Sequence, residues 1–373
     1  MMRWWIAVFA GLGQIALASA QQTVRIGLFE AALPQSVEVT SVDGAHEWVD
    51  SRGEVIAPLR LKQAVSTSNG RLQLEDTALD YVYLRPTLPQ SRVQLRAPGK
   101  YPTVHTGRIH FLLESGGIRC VLEAELESYL EGVLSAESGK GHHPEYYRAQ
   151  AVVSRTYTIQ AMGRHRMQGF DVCDAVHCQA YHGIGTVNDT LRQAVASTRG
   201  TLLVDRQGRP ITAAFHSNCG GQTQGAENVW QRPLDYLVGV PDTFCLAMPH
   251  AQWTRTVPST EWRTWLDERR AGSSERTTFL PNERFDALPD SGSRVRAIDA
   301  RSAFGLQSSY FVAVDDGAEV RFMGQGFGHG VGLCQEGAMQ RAVHGQTYDR
   351  ILHHYFTGVR LTSIESLNFF RGD

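Results

Sequence analysis

The sequence predicts an α+β protein in which a β-rich N-terminal part precedes a region of mixed helices and strands. Between about residues 23 and 122, short alternating runs such as TVRIGLF, YVYLRP and RIHFLLE are separated by Gly, Pro, Ser and Asp, which is typical of strands. From Leu126 onward, the apolar residues recur at helical spacing. We therefore assign residues 21–100 to the β-rich part, residues 101–362 to the mixed region and residues 363–373 to a C-terminal tail.

Length and composition indicate a globular protein with a sizeable core. The chain has 373 residues, of which 42% are hydrophobic and 20% charged, and its formal net charge is −2. A balance this close to neutral provides no general attraction to polyanions. We therefore expect no binding to nucleic acid, and none to DNA in particular.

The first 20 residues have the features of a secretory signal peptide. Arg3 provides a basic start, a short apolar run follows, and Ala18-Ser19-Ala20 fits a signal-peptidase site. The alternative is an uncleaved membrane anchor, although the run is short for a spanning helix. The segment predicts export to the periplasm or to the cell-wall or extracellular space.

Glu137 lies at the end of a predicted core-facing helical stripe. Leu126, Leu130, Val133 and Leu134 share one helix face with it, and the helix is expected to stop before the following glycines. Loss of hydration at an apolar edge favours the protonated carboxylic acid, which is the form that a general acid needs. The alternative is a frayed, solvated helix end.

Further elements follow from local signals. Pro144 suits the first position of a second helix, and Asn188 or Asp189 is expected to cap a third that ends by Gly200. The segment TLLVDRQGRPITAAFHS predicts a hairpin. An amphipathic helix is expected at residues 259–270, and residues 271–294 form a polar stretch that we interpret as a surface insertion.

A short loop places two thiols and an imidazole close together. Cys173, His177 and Cys178 suit zinc, but a closed site needs a fourth ligand. A Cys173–Cys178 disulfide is the alternative in an oxidising compartment. The candidate fourth ligands are His165, His216, His142 and His182.

The remaining cysteines allow several interpretations. Cys219 and Cys245 flank a polar loop that a disulfide would pin, although they also fit two unrelated buried thiols. Cys334 follows His329, which raises a Cys/His nucleophile hypothesis without an identifiable orienting group. In GQGFGHGVGLCQEGA, His329 and Gln335 are candidates to contact an uncharged polar ligand, and a tight turn with a buried histidine is the alternative.

Ordered blocks across most of residues 101–360 resemble the SpoIID/LytB domain, named for a stage II sporulation protein and an amidase enhancer. The resembling blocks are ESYLEGVLSAES, PEYYRAQAVVSRTY, CQAYHG, AVASTRGTLLVDRQGRPITAAFHSNCGGQTQGAENVW, YLVGVPD, FGLQSSYF and GQGFGHGVGLCQEGAMQRAVHGQTYDRILHHYFTG. The resemblance implies an α+β domain with a cleft and a role in the cell wall.

For activity, the resemblance implies a lytic transglycosylase that cleaves peptide-free glycan strands between N-acetylmuramic acid and N-acetylglucosamine. Glu137 matches the family's essential glutamate, although Ser138 stands where most members have Met. One carboxylate would act first as acid and then as base, leaving 1,6-anhydro-muramyl ends without consuming water. No cofactor is needed for this chemistry.

The resemblance also implies roles for other residues. Arg155, Tyr157, His329 and Gln335 match family positions and are the expected substrate contacts, with a structural role as the alternative for Arg155. Some family members bind zinc at the position of the Cys/His loop, which implies a structural zinc. The pair Cys219 and Cys245 resembles a family cysteine pair that implies a disulfide, and Cys334 occupies a usual Ser position. The implied zinc ligands are His165, Cys173, His177 and Cys178.

Two other functions compete with the transglycosylase. The first is a non-enzymatic enhancer that binds peptidoglycan glycan strands and stimulates a cell-wall amidase. The second is a zinc hydrolase that uses the Cys/His loop, which requires an open metal position.

Overall fold

The computed structural model of the protein describes residues 22–269, 277–280, 284, 287–288 and 295–367. The predicted signal peptide and most of the predicted polar insertion lie outside these residues. Among the described helices, none has both the length and the apolar character that a membrane crossing requires.

Two antiparallel-rich sheets form the N-terminal part. The larger has the strand order β13-β1-β12-β11-β8-β3-β4, and the smaller has the order β10-β9-β2-β5-β6-β7. Their strands are β1 Thr23–Leu28, β2 Ser36–Asp43, β3 His46–Val49, β4 Val55–Pro58, β5 Lys62–Ser68, β6 Arg71–Leu74, β7 Thr77–Leu79, β8 Tyr81–Pro86, β9 Arg92–Arg96, β10 Thr103–Thr106, β11 Arg108–Glu114, β12 Gly117–Glu125 and β13 Val172–Cys173.

The inner faces of these sheets form one apolar core with the helices that follow. Ile26 of β1 pairs with Leu122 of β12, and Val39 of β2 pairs with Leu95 of β9, all four being buried. Alternation of buried and exposed residues along β2 and β5 is what a sheet with one covered face requires. Strand pairing continues across residue 100, so β11 and β12 belong to the N-terminal sheet although they follow the predicted boundary.

Helices and three small sheets make up the rest of the described residues, which confirms the α+β prediction. The helices are α1 Leu126–Glu137, α2 Pro144–Ala161, α3 Asp189–Ser197, α4 Glu227–Trp230, α5 Ser259–Asp267, α6 Ala297–Phe304, α7 Gln335–Val343 and α8 Tyr348–Tyr355, with 3-10 turns at Arg166–Gln168, Thr243–Cys245 and Ile364–Ser366. The strands are β14 Thr201–Val204, β15 Phe215–His216, β16 Gln252–Pro258, β17 Phe311–Asp315, β18 Glu319–Gln325, β19 Leu333–Cys334 and β20 Arg360–Ser363.

The hairpin predicted after Gly200 forms only in part. β14 pairs along its whole length with β20, which lies far away in the sequence. On its other side it makes a single bridge, from Val204 to Pro210. The predicted hairpin is therefore reduced to its turn and one bridge, and the strand that pairs with β14 along its length is a distant one on the opposite edge.

A second, smaller core lies around β16, β17 and β18. Trp262 of α5 is fully buried among aromatic rings of this core, including Phe322 at 5.1 Å between ring centroids. Phe279 and Leu288, which are described residues of the predicted polar insertion, are also buried there. These two side chains therefore belong to the core.

Helices α1 and α2 are joined by a buried ion pair. Arg155 is fully buried, and its Nε and Nη2 donate to the two carboxylate oxygens of Glu127 at 2.9 and 2.6 Å. The same guanidinium donates to the backbone oxygens of Val195 and Thr201. One side chain therefore connects α1, α2, the end of α3 and the start of β14.

Arg155→Met is expected to lower the free energy of unfolding by about 3 to 5 kcal/mol, because it leaves the Glu127 carboxylate buried without a counter-charge. Arg199→Met is the control, since Arg199 pairs with Glu125 at the surface and its loss is expected to cost about 1 kcal/mol or less. Urea denaturation measures both values. Equal costs for the two variants would contradict the structural role of Arg155.

Candidate functional site

Glu137 is the last residue of α1, next to a glycine-rich corner that leads into α2. Gly139 and Gly141 both have positive φ, so the chain reverses there in a conformation that other residues rarely adopt. The Tyr147 hydroxyl pins the corner by donating to the Gly139 oxygen and accepting from the His142 N–H. The predicted helix and its end before Gly139 are confirmed.

Burial raises the pKa of Glu137. Two groups oppose this effect: the backbone N–H of Ala180, which donates to Oε1 at 2.6 Å, and the nearby His182. Among the described residues, no side chain donates a hydrogen bond to Oε2. The carboxyl group is therefore partly desolvated, with one oxygen held in place and the other available to carry a proton.

The cationic residues of the GKGHH corner do not control this carboxylate. Lys140 is exposed, and the His143 ring caps α2 by accepting from the Glu145 N–H. His142 packs against Tyr146, and burial lowers its pKa. The side chain whose electrostatic effect lowers the pKa of Glu137 is instead His182, from the CQAYHG block.

Gln335 contacts the backbone of Glu137. Its side chain is largely buried, and Nε2 donates to the Glu137 oxygen at 3.1 Å. The structure therefore gives Gln335 a positioning contact, and the substrate contact expected of it stays a prediction. The neighbouring carboxylates are occupied elsewhere: Glu336 accepts from Asn218 and pairs with His250, while Glu145 accepts from the Tyr348 N–H.

Arg155 and Tyr157, two of the other predicted substrate contacts, bond to residues other than Glu137. Arg155 is fully buried in its pair with Glu127, so a substrate contact by Arg155 is not supported. The Tyr157 hydroxyl accepts from Arg164 at 2.7 Å beside the Cys/His loop.

His329, another predicted substrate contact, packs against the rings of Trp230 and His216. Its ring is 5.7 Å from that of Trp230 and 5.5 Å from that of His216. Burial, with Arg301 and Arg284 nearby, lowers the pKa of His329 to about 4. Its Nδ1 accepts from the Val331 N–H, and burial raises the pKa of the Cys334 thiol. These contacts do not support Cys334 as a nucleophile activated by His329.

The structure brings together all four predicted zinc ligands, which we call the Cys/His cluster: His165, Cys173, His177 and Cys178. Their ligand atoms lie within 4.8 Å of one another. The Cys178 Sγ is 3.4 Å from His165 Nε2 and 3.7 Å from His177 Nδ1, close to the edges of about 3.5 Å that a tetrahedral zinc site imposes between sulfur and nitrogen.

A neighbouring side chain sets the tautomer that zinc would require of His165. The Oε1 of Gln168 lies 2.6 Å from His165 Nδ1 and can only accept a hydrogen bond, so Nδ1 carries the proton and donates. This leaves the lone pair on Nε2, which faces Cys178. The donor set therefore fits a zinc ion, with four protein ligands and no open position.

The cluster is also connected to Glu137. Cys178 lies two residues before Ala180, whose N–H donates to the Glu137 carboxylate. Gly132 of α1 permits this loop to approach, since a Cβ at that position would lie 2.4 Å from the Tyr181 ring.

The cysteines implied to form a disulfide are adjacent but not bonded to each other in the structure. All six cysteines are free, and the Sγ atoms of Cys219 and Cys245 are 3.4 Å apart. The disulfide implied by the family resemblance is therefore absent from the structure. It remains a prediction.

Three partners of the site were not predicted from sequence. Glu127, the partner of Arg155, lies on the predicted α1 helix but carries no local signal of pairing. The Ala180 N–H is a backbone group, which no side-chain pattern marks. Asp242 joins Cys219, Cys245 and Cys334 in a buried group, and its position three residues before Cys245 is the signal that was overlooked.

Comparisons with known proteins place the chain in a family. A family model described as stage II sporulation protein matches residues 114–204, which include Glu137 and the Cys/His cluster. Stage II sporulation protein D of Bacillus subtilis is 30% identical over 259 residues, covering 65% of this chain and 75% of that protein. The chain therefore belongs to the stage II sporulation protein D family.

Two further relatives differ in the share of their length that matches this chain. An uncharacterized protein of Brachyspira hyodysenteriae is 27% identical over 363 residues, covering 93% of this chain and 95% of that protein. The amidase enhancer of Bacillus subtilis is 27% identical over 297 residues, which cover 63% of this chain but only 40% of the enhancer.

The free energy of unfolding of Glu137→Gln, relative to that of wild type, is expected to increase as pH rises. Because burial raises the pKa of Glu137, the stability contributed by its neutral form is complete below the ordinary value of 4.5 and is lost as pH rises through the folded-state pKa. Glutamine carries no such dependence. Urea denaturation at a series of pH values measures the difference, with the exposed Glu54→Gln as control; a pH-independent difference for Glu137→Gln would contradict the raised pKa.

Proposed function

We propose that this protein is an exported, peptidoglycan-active lytic transglycosylase that uses Glu137 as its acid and then its base. Membership of the stage II sporulation protein D family and the similarity to an amidase enhancer support a role at peptidoglycan. The observation that carries the proposal is the partly buried Glu137 carboxyl with a raised pKa, held by the Ala180 N–H.

A raised pKa suits the first step. Protonated Glu137 donates its proton to the glycosidic oxygen while the bond from the muramic acid C1 to that oxygen breaks through an oxocarbenium-like transition state. The N-acetylglucosamine end leaves as an alcohol. The field of His182 keeps the pKa from rising further, which helps the same group to ionise during the reaction.

The second step needs only the carboxylate that the first step leaves. Ionised Glu137 takes the proton from the muramic acid C6 hydroxyl as O6 bonds to C1, which closes a 1,6-anhydro ring and restores the acid. The nucleophile belongs to the substrate, so a second protein carboxylate is not required. This agrees with Glu145 and Glu336 being engaged by other partners.

Glu137→Gln is expected to lower the formation of anhydro-muramyl ends by about 10²- to 10⁴-fold, because general acid catalysis is lost. The assay is mass spectrometry of purified, peptide-free glycan strands incubated with the protein. Glu131→Gln is the matched control, since Glu131 lies on the same helix and burial also raises its pKa. Equal losses in both variants would contradict a specific role for Glu137.

The similarity to an amidase enhancer supports a second candidate function. In that case the protein binds glycan strands and stimulates a cell-wall amidase without cleaving them. Intact glycan after incubation with wild-type protein, together with retained binding to strands and faster amidase turnover, would establish the enhancer and exclude the transglycosylase.

We also propose that the Cys/His cluster holds a structural zinc. The four ligand atoms, their separations and the orientation of His165 by Gln168 support this assignment. A set of four protein ligands leaves no position for a reacting water, which argues against the zinc hydrolase. The ion would supply no step of the reaction; it would fix the loop that carries Ala180.

Cys178→Ser is expected to remove about one zinc equivalent per chain and to lower the melting temperature, while changing turnover much less than Glu137→Gln. Metal analysis and thermal unfolding measure the two effects. Cys120→Ser is the control, since Cys120 is a buried thiol outside the cluster. A zinc-free wild-type protein with a mapped Cys173–Cys178 disulfide would contradict the assignment.

A further inference from the structure

A second group of metal-ligating side chains lies outside the proposed catalytic site and the Cys/His cluster. It consists of Cys219, Asp242, Cys245 and Cys334, which we call the thiol cluster. The four ligand atoms lie within 4.8 Å of one another, and every member is buried, with at most 1% of its surface exposed. The group therefore offers one metal ion four possible ligand atoms, namely three sulfurs and a carboxylate oxygen.

The fold brings the members together from three distant segments. β15 and β19 pair in parallel, with His216 opposite Cys334, so the chain reaches Cys219 directly beside Cys334. The 3-10 turn Thr243–Cys245 supplies the third sulfur, and Asp242 precedes that turn. Gly332 permits the close approach of the strands, because its φ is +71° and a Cβ would lie 2.2 Å from the Ala214 oxygen.

The separations within the thiol cluster come close to those that a tetrahedral zinc site requires. The Sγ atoms of Cys219 and Cys245 are 3.4 Å apart, and a tetrahedral zinc thiolate site places its sulfurs about 3.8 Å apart. The Oδ2 of Asp242 is 3.8 Å from the Cys219 Sγ. We propose that the thiol cluster is a second, structural zinc site with the ligand set Cys219, Asp242, Cys245 and Cys334.

The surroundings balance the charge of such a site. Three thiolates and one carboxylate around Zn²⁺ leave two net negative charges, and three thiol protons are released to solvent on binding. Arg341 pairs with Asp242 Oδ1 at 3.0 Å, and Arg284 donates to the Cys219 oxygen at 3.2 Å. These two guanidinium groups supply the compensating charge.

Hydrogen bonds also prepare the individual ligands. The Cys334 sulfur accepts from the backbone N–H groups of Cys219 and Gly337, at 3.3 and 3.4 Å. The Tyr355 hydroxyl donates to Asp242 Oδ2 at 2.6 Å, which orients the carboxylate. Such outer contacts are typical of metal ligands.

The site would stabilise one side of the Glu137 environment. Cys334 caps α7 and directly precedes Gln335, whose amide donates to the Glu137 oxygen. A metal bound here would join the loop from Cys219 to Cys245 to the start of α7. The proposal does not depend on which reaction Glu137 performs.

The test is the metal content and spectrum of the full chain, purified without chelator. Wild type is expected to hold about two zinc ions per chain, and Cys334→Ser about one. Cys178→Ser is expected to lose the other equivalent, and Cys120→Ser is the control that keeps both. Replacement of zinc by Co²⁺ is expected to give sulfur-to-cobalt charge-transfer absorption that falls in Cys334→Ser.

Two results would overturn the proposal. The first is a folded wild-type chain whose zinc content Cys334→Ser leaves unchanged. The second is a mapped Cys219–Cys245 disulfide in the wild-type protein, detected as the loss of two hydrogens. If Cys334→Ser does not fold, the wild-type zinc content and the cobalt spectrum decide alone, and a wild type with one zinc bound only at the Cys/His cluster contradicts the site.

Discussion

The buried ion pair between Arg155 and Glu127 is the interaction on which the arrangement around Glu137 depends. A guanidinium taken out of water is tolerated only when its donors are satisfied, and here two reach a carboxylate and others reach the backbone oxygens of Val195 and Thr201. Because Glu127 and Glu137 belong to the same helix, the pair fixes the position of the helix that ends at the proposed acid.

Much of this region follows from local sequence. The spacing of Leu126, Leu130 and Val133 predicts α1, and Pro144 predicts the start of α2, since both signals act within one or two helical turns. Pairing over long distances is not encoded in this way. The local turn at residues 205–209 forms and closes with one bridge, but the strand that pairs with β14 along its length is β20, more than a hundred residues later.

The candidate site shows the same division. Residue chemistry and the family resemblance identified Glu137 and the four members of the Cys/His cluster, and the structure brings those four together. The loss of hydration expected for Glu137 from its place on the apolar stripe agrees with the direction in which burial moves its pKa. The complete burial of Arg155 could not be deduced, because its partner Glu127 carries no local signal of pairing. The hydrogen bond from the Ala180 N–H to Glu137 could not be predicted either, because every residue except proline has a backbone N–H.

Glu137 is held from two sides by segments that each follow a group of cysteines. On one side, Ala180 comes two residues after Cys178 and donates to the carboxylate; on the other, Gln335 comes directly after Cys334 and donates to the backbone oxygen. A general acid works only when its distance from the glycosidic oxygen is maintained, so its supports must be rigid. Metal ions in both groups would provide that rigidity without touching the substrate, which is consistent with the proposed reaction, in which one carboxylate acts alone.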